Sequence, residues 1–143
     1  MMKFIKLHVL AATVLVLIFS ACNTILIISD DLSPAELIQR AQEASDRNRL
    51  NVAMQYYEAL HDRNRSNIDL VITAEYEIAF INYKLGHYQQ SREQFNALLE
   101  YYKSPDAELL PQQFKVLANI VLDRIDEKEN QRRPFFLRTK TNN

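Results

Sequence analysis

Few residues in this chain have types and spacings suited to chemistry, and Cys22 comes first because it is the single cysteine. One thiol cannot build an internal disulfide framework, so it needs a local explanation. Beyond the first 21 residues the chain holds two histidines, His61 and His87, 26 positions apart with no Cys or His near either at metal-ligand spacing. A zinc site is not expected from that pattern, and both read as helix-surface residues. No Ser sits in a Gly-rich elbow, and a chain with one Gly has no phosphate-cradling loop. The paired acids Glu75/Glu77 and Asp106/Glu108 read as solvated charges. No catalytic, metal or cofactor-binding residue is expected, and the chain is not read as an enzyme.

The residues before Cys22 give it a role. Lys3 and Lys6 form a short positive region, Val9 to Phe19 is apolar without a charge, and Phe19-Ser20-Ala21 leads into Cys22 with small residues at the end. This order is that of an exported precursor. It resembles the bacterial lipobox, in which a peptidase cuts before a Cys whose thiol carries diacylglycerol and whose freed amine takes a further chain such as palmitate. Phe19 departs from the Leu usual there. An uncleaved anchor is the alternative, since Leu7 to Ile28 gives 22 residues, long enough to span a bilayer. Under either reading the rest of the chain sits at a membrane surface. Asn23 stands where inner-membrane lipoproteins usually carry Asp, which points to an outer membrane, facing the periplasm. The expected organisation is a signal over 1–21, a lipidated tether over 22–32, a helical domain over 33–129 and a basic, disordered tail over 130–143. The greasy run Thr24 to Ile28 leaves two fates open for the tether, dipping into headgroups or docking on the domain.

The elements that carry these residues follow from composition. Of 143 residues, 48% are hydrophobic and 24% charged, with one Gly, four Pro and no Trp, which suits helices joined by short loops. Without the leader, 122 residues remain, enough for one modest core. Losing Lys3 and Lys6 leaves 15 basic against 18 acidic residues, a net charge near −3 that gives no support to nucleic-acid binding. Ser33-Pro34-Ala35-Glu36 predicts a helix start, with Ser as cap, Pro in the first turn and Glu completing a capping box. Periodicity predicts helices over 34–47, 50–63, 68–85, 88–103 and 111–128, with Gly86 ending the third and a short turn near Ser104-Pro105 before the fifth. The β-branched run Ile68 to Thr73 makes the third start the weakest.

The second and fourth segments share a spacing at a lag of 38, pairing Leu50, Ala53, Tyr57 and Leu60 with Tyr88, Ser91, Phe95 and Leu98. The same lag relates Ala41 to Ala79 and Ala59 to Ala97, so the repeating unit is a helix pair, the signature of a solenoid. Phe114, Leu117, Ala118 and Val121 restart the first-helix pattern, but the chain from Glu127 is too polar for a matching partner. A generic antiparallel bundle is the other reading.

These positions resemble the tetratricopeptide repeat, through Ile78-Ala79, Gly86-His87-Tyr88, Ser91, Phe95 and Leu98 in the second unit and Ala41, Leu50, Ala53, Tyr57 and Leu60 in the first. Together with Cys22, the stretches Gly86 to Tyr102 and Ala53 to Leu60 resemble the BamD/YfiO-like lipoproteins of outer-membrane β-barrel assembly. The resemblance covers about 33–128 and implies an all-α, short α-solenoid of two repeats plus a C-terminal capping helix. That family usually has about five repeats, so this would be a truncated relative. It further implies a periplasm-facing scaffold for protein-protein interactions, anchored to the membrane by lipid on Cys22. Its partners would be the barrel-assembly machinery or unfolded outer-membrane protein segments. A ligand-binding or transport-associated lipoprotein of the same repeat class is the alternative, with a closed pocket at Tyr76, Phe80 and Tyr83.

Carrying over the inner face of such a solenoid selects Tyr76, Phe80, Tyr83 and Lys84 as a candidate partner groove. Ile38, Gln42 and Ser45 flank it on one side and Lys115, Asn119 and Leu122 on the other. The three aromatics fit either an open groove or core. The tail's Arg132, Arg133, Arg138 and Lys140, around Pro134-Phe135-Phe136-Leu137, fit either a solvated tail or a contact with anionic headgroups or an acidic partner.

Overall fold

The computed structural model of the chain describes residues 26–132, so the leader, Cys22 and the tail from 133 lie outside the described residues. Among the described residues the chain is all-α: α1 (Pro34–Asp46), α2 (Leu50–Arg63), α3 (Ile68–Leu85), α4 (Tyr88–Tyr101) and α5 (Gln112–Arg132), with a 3-10 turn at Ala107–Leu109. No helix among the described residues is long and apolar enough to cross a membrane.

The local signals act as their chemistry dictates. Ser33 caps α1 through a reciprocal box: the Glu36 backbone N–H donates to Ser33 Oγ at 3.3 Å, and the Ser33 N–H to Glu36 Oε2 at 2.9 Å. The β-branched start of α3 is helical because Asn67 caps it, accepting the Leu70 N–H at 3.3 Å, and because the run is buried against neighbours. Gly86 closes α3 at φ +81°, where the His87 N–H reaches back to the Asn82 carbonyl at 2.9 Å. Asn48, at φ +55°, makes the equivalent left-handed turn between α1 and α2. Pro105 and Pro111 bracket the 3-10 turn, so the link before α5 is a separate short element. The fifth helix runs on to Arg132, three residues into the stretch expected as tail, held by Arg92 of α4, which contacts Asp126 at 2.7 Å and Glu129 at 2.8 Å.

Helices pack in sequence, α1 on α2, α2 on α3 and α3 on α4, with α5 lying across α3 and α4. Two core clusters result. One joins Leu37, Ala41, Ala53, Tyr57 and Leu60 to Ala74 and Ile81, and the other gathers Ile72, Tyr76, Ala79, Phe95 and Leu98 with Ala118, Val121 and Ile125. Positions 38 apart occupy matching places: Ala41 and Ala79, Ala53 and Ser91, Tyr57 and Phe95, and Leu60 and Leu98 are all no more than 2% exposed. The small residues allow close helix approach, and the rings fill the space between layers. Ser91 adds a bond its counterpart Ala53 cannot make, donating from Oγ to the Ala79 carbonyl at 2.8 Å. The fold is therefore all-α and repeat-like.

The segment before α1 docks. The Leu26 N–H donates to Gln55 Oε1 at 2.8 Å, Arg63 donates to the Ser29 carbonyl at 2.9 Å and meets Asp30 at 3.2 Å, and Ile28 and Leu32 pack on the first cluster. From Leu26 onward the tether lies against α2.

Candidate functional site

The aromatic row of α3 is continuous but unevenly exposed. Tyr76 stacks near Phe80 with centroids 5.9 Å apart, Phe80 stacks on Tyr83 at 6.0 Å, and Tyr83 meets Tyr88 of α4 at 5.7 Å. Spacings of three and four residues put these side chains on one helical stripe. Tyr76 is buried, with Phe95 at 5.6 Å and Phe114 at 5.0 Å, so it belongs to the core rather than to a groove. Burial chiefly, and the nearby Glu77 charge, raise its phenol pKa against the opposing effect of Arg124. Phe80 and Tyr83 remain half-buried. Lys84 crosses to α1, donating to Ser45 Oγ at 2.9 Å, with its ammonium 5.3 Å from the Phe80 ring centre. Gln42 is exposed beside this contact, whereas Ile38 is half-buried against the first cluster.

On the far side the structure departs from the expected residues. Phe114, one position before Lys115, is the residue that faces Tyr76, while Lys115 extends toward α4, its ammonium 6.0 Å from the Tyr102 ring. One residue is about 100° of helical rotation, so the edge carrying Lys115, Asn119 and Leu122 faces α4 rather than α1. Leu122 packs against the second cluster accordingly, and the exposed Asn119 returns its amide to the Lys115 carbonyl. The α5 residues that meet these aromatics are instead Phe114, at Tyr76, and Arg132, whose guanidinium lies 4.9 Å from the Tyr88 ring centre. The surviving surface is Gln42, Phe80, Tyr83 and Lys84. Val116, Leu117 and Ile120 stay exposed on α5, with no following helix among the described residues to cover them.

Of the acids expected to be solvated, Asp106 and Glu108 are exposed, whereas Glu75 and Glu77 are partly buried between helices. Glu77 is mostly buried, and that burial holds its carboxyl above the usual range despite Lys84 nearby. Burial, with the charges of Glu77 and Asp46, likewise pushes the Tyr57 phenol up. Glu75 accepts the Tyr101 hydroxyl at 3.1 Å and lies 3.5 Å from His61 Nε2, while His61 Nδ1 is 3.3 Å from Asp62. His61 is thus part of an interhelical contact rather than a free surface residue. His87 sits at the α3–α4 turn, its Nδ1 3.2 Å from Oδ1 of the buried Asn82, whose amide donates to Gln94 at 2.8 Å. Sequence spacing had no signal for the Glu75–Tyr101, Glu75–His61 and Asn82–Gln94 pairings, because each joins two different helices. A pocket of about 290 Å³ opens where α2 and α4 meet the back of α3, lined by His61, Glu75, Ile78, Gln94, Ala97 and Tyr101. It lies roughly opposite Phe80 and Tyr83 around α3. Among the described residues no group of three or more His, Cys, Asp or Glu side chains is placed to hold a metal ion.

No known protein family's sequence profile matches the chain. No solved structure is significantly similar to it. An uncharacterized protein of Treponema pallidum (strain Nichols) is 32% identical over 98 residues, which amounts to 68% of this chain and 39% of that protein. The chain therefore spans well under half the length of the relative it matches.

Proposed function

We propose that this protein is a lipid-anchored scaffold built from two tetratricopeptide-like helix pairs and a capping helix. Its work is protein-protein interaction at the periplasmic face of an outer membrane, in β-barrel protein assembly, and it catalyses no reaction. The observation that carries the reading is the burial of the lag-38 positions in two successive helix pairs, each with its small and bulky residues in matching places. Such units stack into scaffolds whose first helices present a binding surface. The half-buried Phe80 and Tyr83, with Lys84 and Gln42 beside them, suit an extended peptide or a partner helix.

The docked segment sharpens the anchor. Leu26, the first of the described residues and bonded to α2, is four residue steps beyond Cys22. Four extended residues span at most about 14 Å, so a lipid on Cys22 holds the domain close to the bilayer. Two or three acyl chains make that attachment firm, since each buried CH₂ adds about 0.8 kcal/mol. The test is depletion of the protein combined with purification of the intact, lipidated form. Co-purification with the barrel-inserting protein and loss of folded barrels on depletion support the reading. Neither effect, with Cys22 lipidated, sinks it.

A further inference from the structure

The pocket between α2, α3 and α4 has a chemistry that the partner-binding face does not use. Its walls are Ile78, Ala97 and the Tyr101 ring, and two of its polar groups, His61 and the Tyr101 hydroxyl, converge on the Glu75 carboxylate. At about 290 Å³ it is at the lower edge of the range for small-molecule sites, too small for a nucleotide and ample for one side chain. With His61 neutral, the acids set the sign of its charge. Glu75 lines it, Asp62 lies behind His61, and no Lys or Arg is among the lining residues. The nearby Arg65 is engaged with Asp62 at 2.8 Å. An anionic ligand would meet Glu75 directly, and a wholly apolar one would strip water from that carboxylate and add no partner to its contacts with Tyr101 and His61. A cation on an alkyl stem meets neither penalty: its methylenes cover Ile78 and Ala97, and its head reaches Glu75 beside the Tyr101 ring.

We propose that this pocket binds an alkylammonium or alkylguanidinium group, the end of a lysine or arginine side chain presented by a partner protein. Glu75 supplies the counter-charge. Tyr101 holds that carboxylate in place through its hydroxyl and offers its ring to the stem, and Gln94 closes one wall while tied to Asn82. The site is independent of the aromatic face, so either can fail without the other.

The experiment uses the full chain, labelled for NMR, titrated with the pentapeptides Ala-Ala-Lys-Ala-Ala, Ala-Ala-Arg-Ala-Ala and Ala-Ala-Met-Ala-Ala, and with n-pentylamine. Binding of the Lys and Arg peptides is expected to move the Ile78, Ala97 and Tyr101 resonances, and the Met peptide to leave them in place. Glu75→Gln, close in size and part-exposed, should weaken the Lys peptide by about tenfold or more, the ratio given by a lost charge-assisted hydrogen bond. Ala97→Leu, which fills the pocket and keeps the carboxylate, should abolish binding. Two variants acting through different properties separate a binding effect from a folding one, which unchanged spectra elsewhere would exclude. If n-pentylamine binds as well as the Lys peptide, the ligand is a free amine; if the peptide is favoured, it is a protein side chain. No shift with either cationic peptide, equal binding of the Met peptide, or indifference to Glu75→Gln overturns the proposal.

Discussion

Truncating Phe95 to Ala removes a ring that is fully buried between α3, α4 and α5, in contact with Tyr76 and surrounded by Ile72, Ala79, Leu98 and Val121. Losing a buried Phe side chain costs about 3–5 kcal/mol, transfer and cavity together, and the lost ring pairing with Tyr76 argues for the upper half of that interval. A domain of this size has about 5–15 kcal/mol in all, so the variant should be close to unfolding at room temperature. Tyr57, 38 residues earlier and 2% exposed, occupies the matching place in the first helix pair. Tyr57→Ala should therefore cost a similar amount, since α3 packs behind it through Ala74 and Ile81 as α5 packs behind Phe95. Urea unfolding followed by far-ultraviolet circular dichroism measures both. With a slope of about 1–1.5 kcal/mol per M, a loss of 4 kcal/mol moves the midpoint by about 3 M. A loss under about 1.5 kcal/mol at either position, or costs differing more than about threefold, would refute the claim that the two pairs are built alike.

Three further outcomes follow from single contacts. Gly86→Ala keeps open space around the new methyl group but must hold φ +81°, so it should destabilise by about 1–2 kcal/mol, while Gly86→Asn should cost less; thermal melts distinguish them. Arg63→Ala should raise hydrogen exchange at residues 26–30 while changing global stability by less than about 1 kcal/mol, because it unties an exposed segment rather than the core. Glu77 has a carboxyl pKa raised by burial, so its ionised form is penalised in the native state. Its contribution is harmless while both states are protonated and turns destabilising as the pH rises through the unfolded and then the folded pKa. Glu77→Gln should accordingly raise the melting temperature at pH 7 more than at pH 4, and the reverse order would contradict that assignment.

How much was legible in the sequence depends on the range of the interaction. Helix ends at Ser33 and Gly86 were readable because capping acts within four residues, whereas the Asn67 cap was hidden by the β-branched run that follows it. The repeat was readable because Ala41/Ala79 and Tyr57/Phe95 fill equivalent core places, which forces the same residue types at one lag. The proposed partner face was only partly readable. Phe80 lies against Tyr83 and Lys84, while Tyr76 is core, since α5 covers it with Phe114. Placing Lys115, Asn119 and Leu122 failed because the 3-10 turn at Ala107–Leu109 sets the rotation of α5, and a one-residue offset turns a helix edge by about 100°. The Glu75–His61–Tyr101 contact was invisible because it joins three helices through side chains that look solvated when each helix is read alone. For the same reason the docking of Leu26 on Gln55 was left open, a contact across 29 residues.

The proposed function requires a lipid-anchored chain that meets its partner through α1 and α3. A photoreactive amino acid placed at Gln42, exposed beside Lys84, and activated in intact cells tests this most directly, with Cys22→Ala as the paired control. The account predicts a crosslink to the barrel-inserting protein or to an unfolded barrel precursor, lost when Cys22 is replaced. A crosslink that persists unchanged in Cys22→Ala, or no crosslink to either partner from correctly lipidated protein, would contradict it.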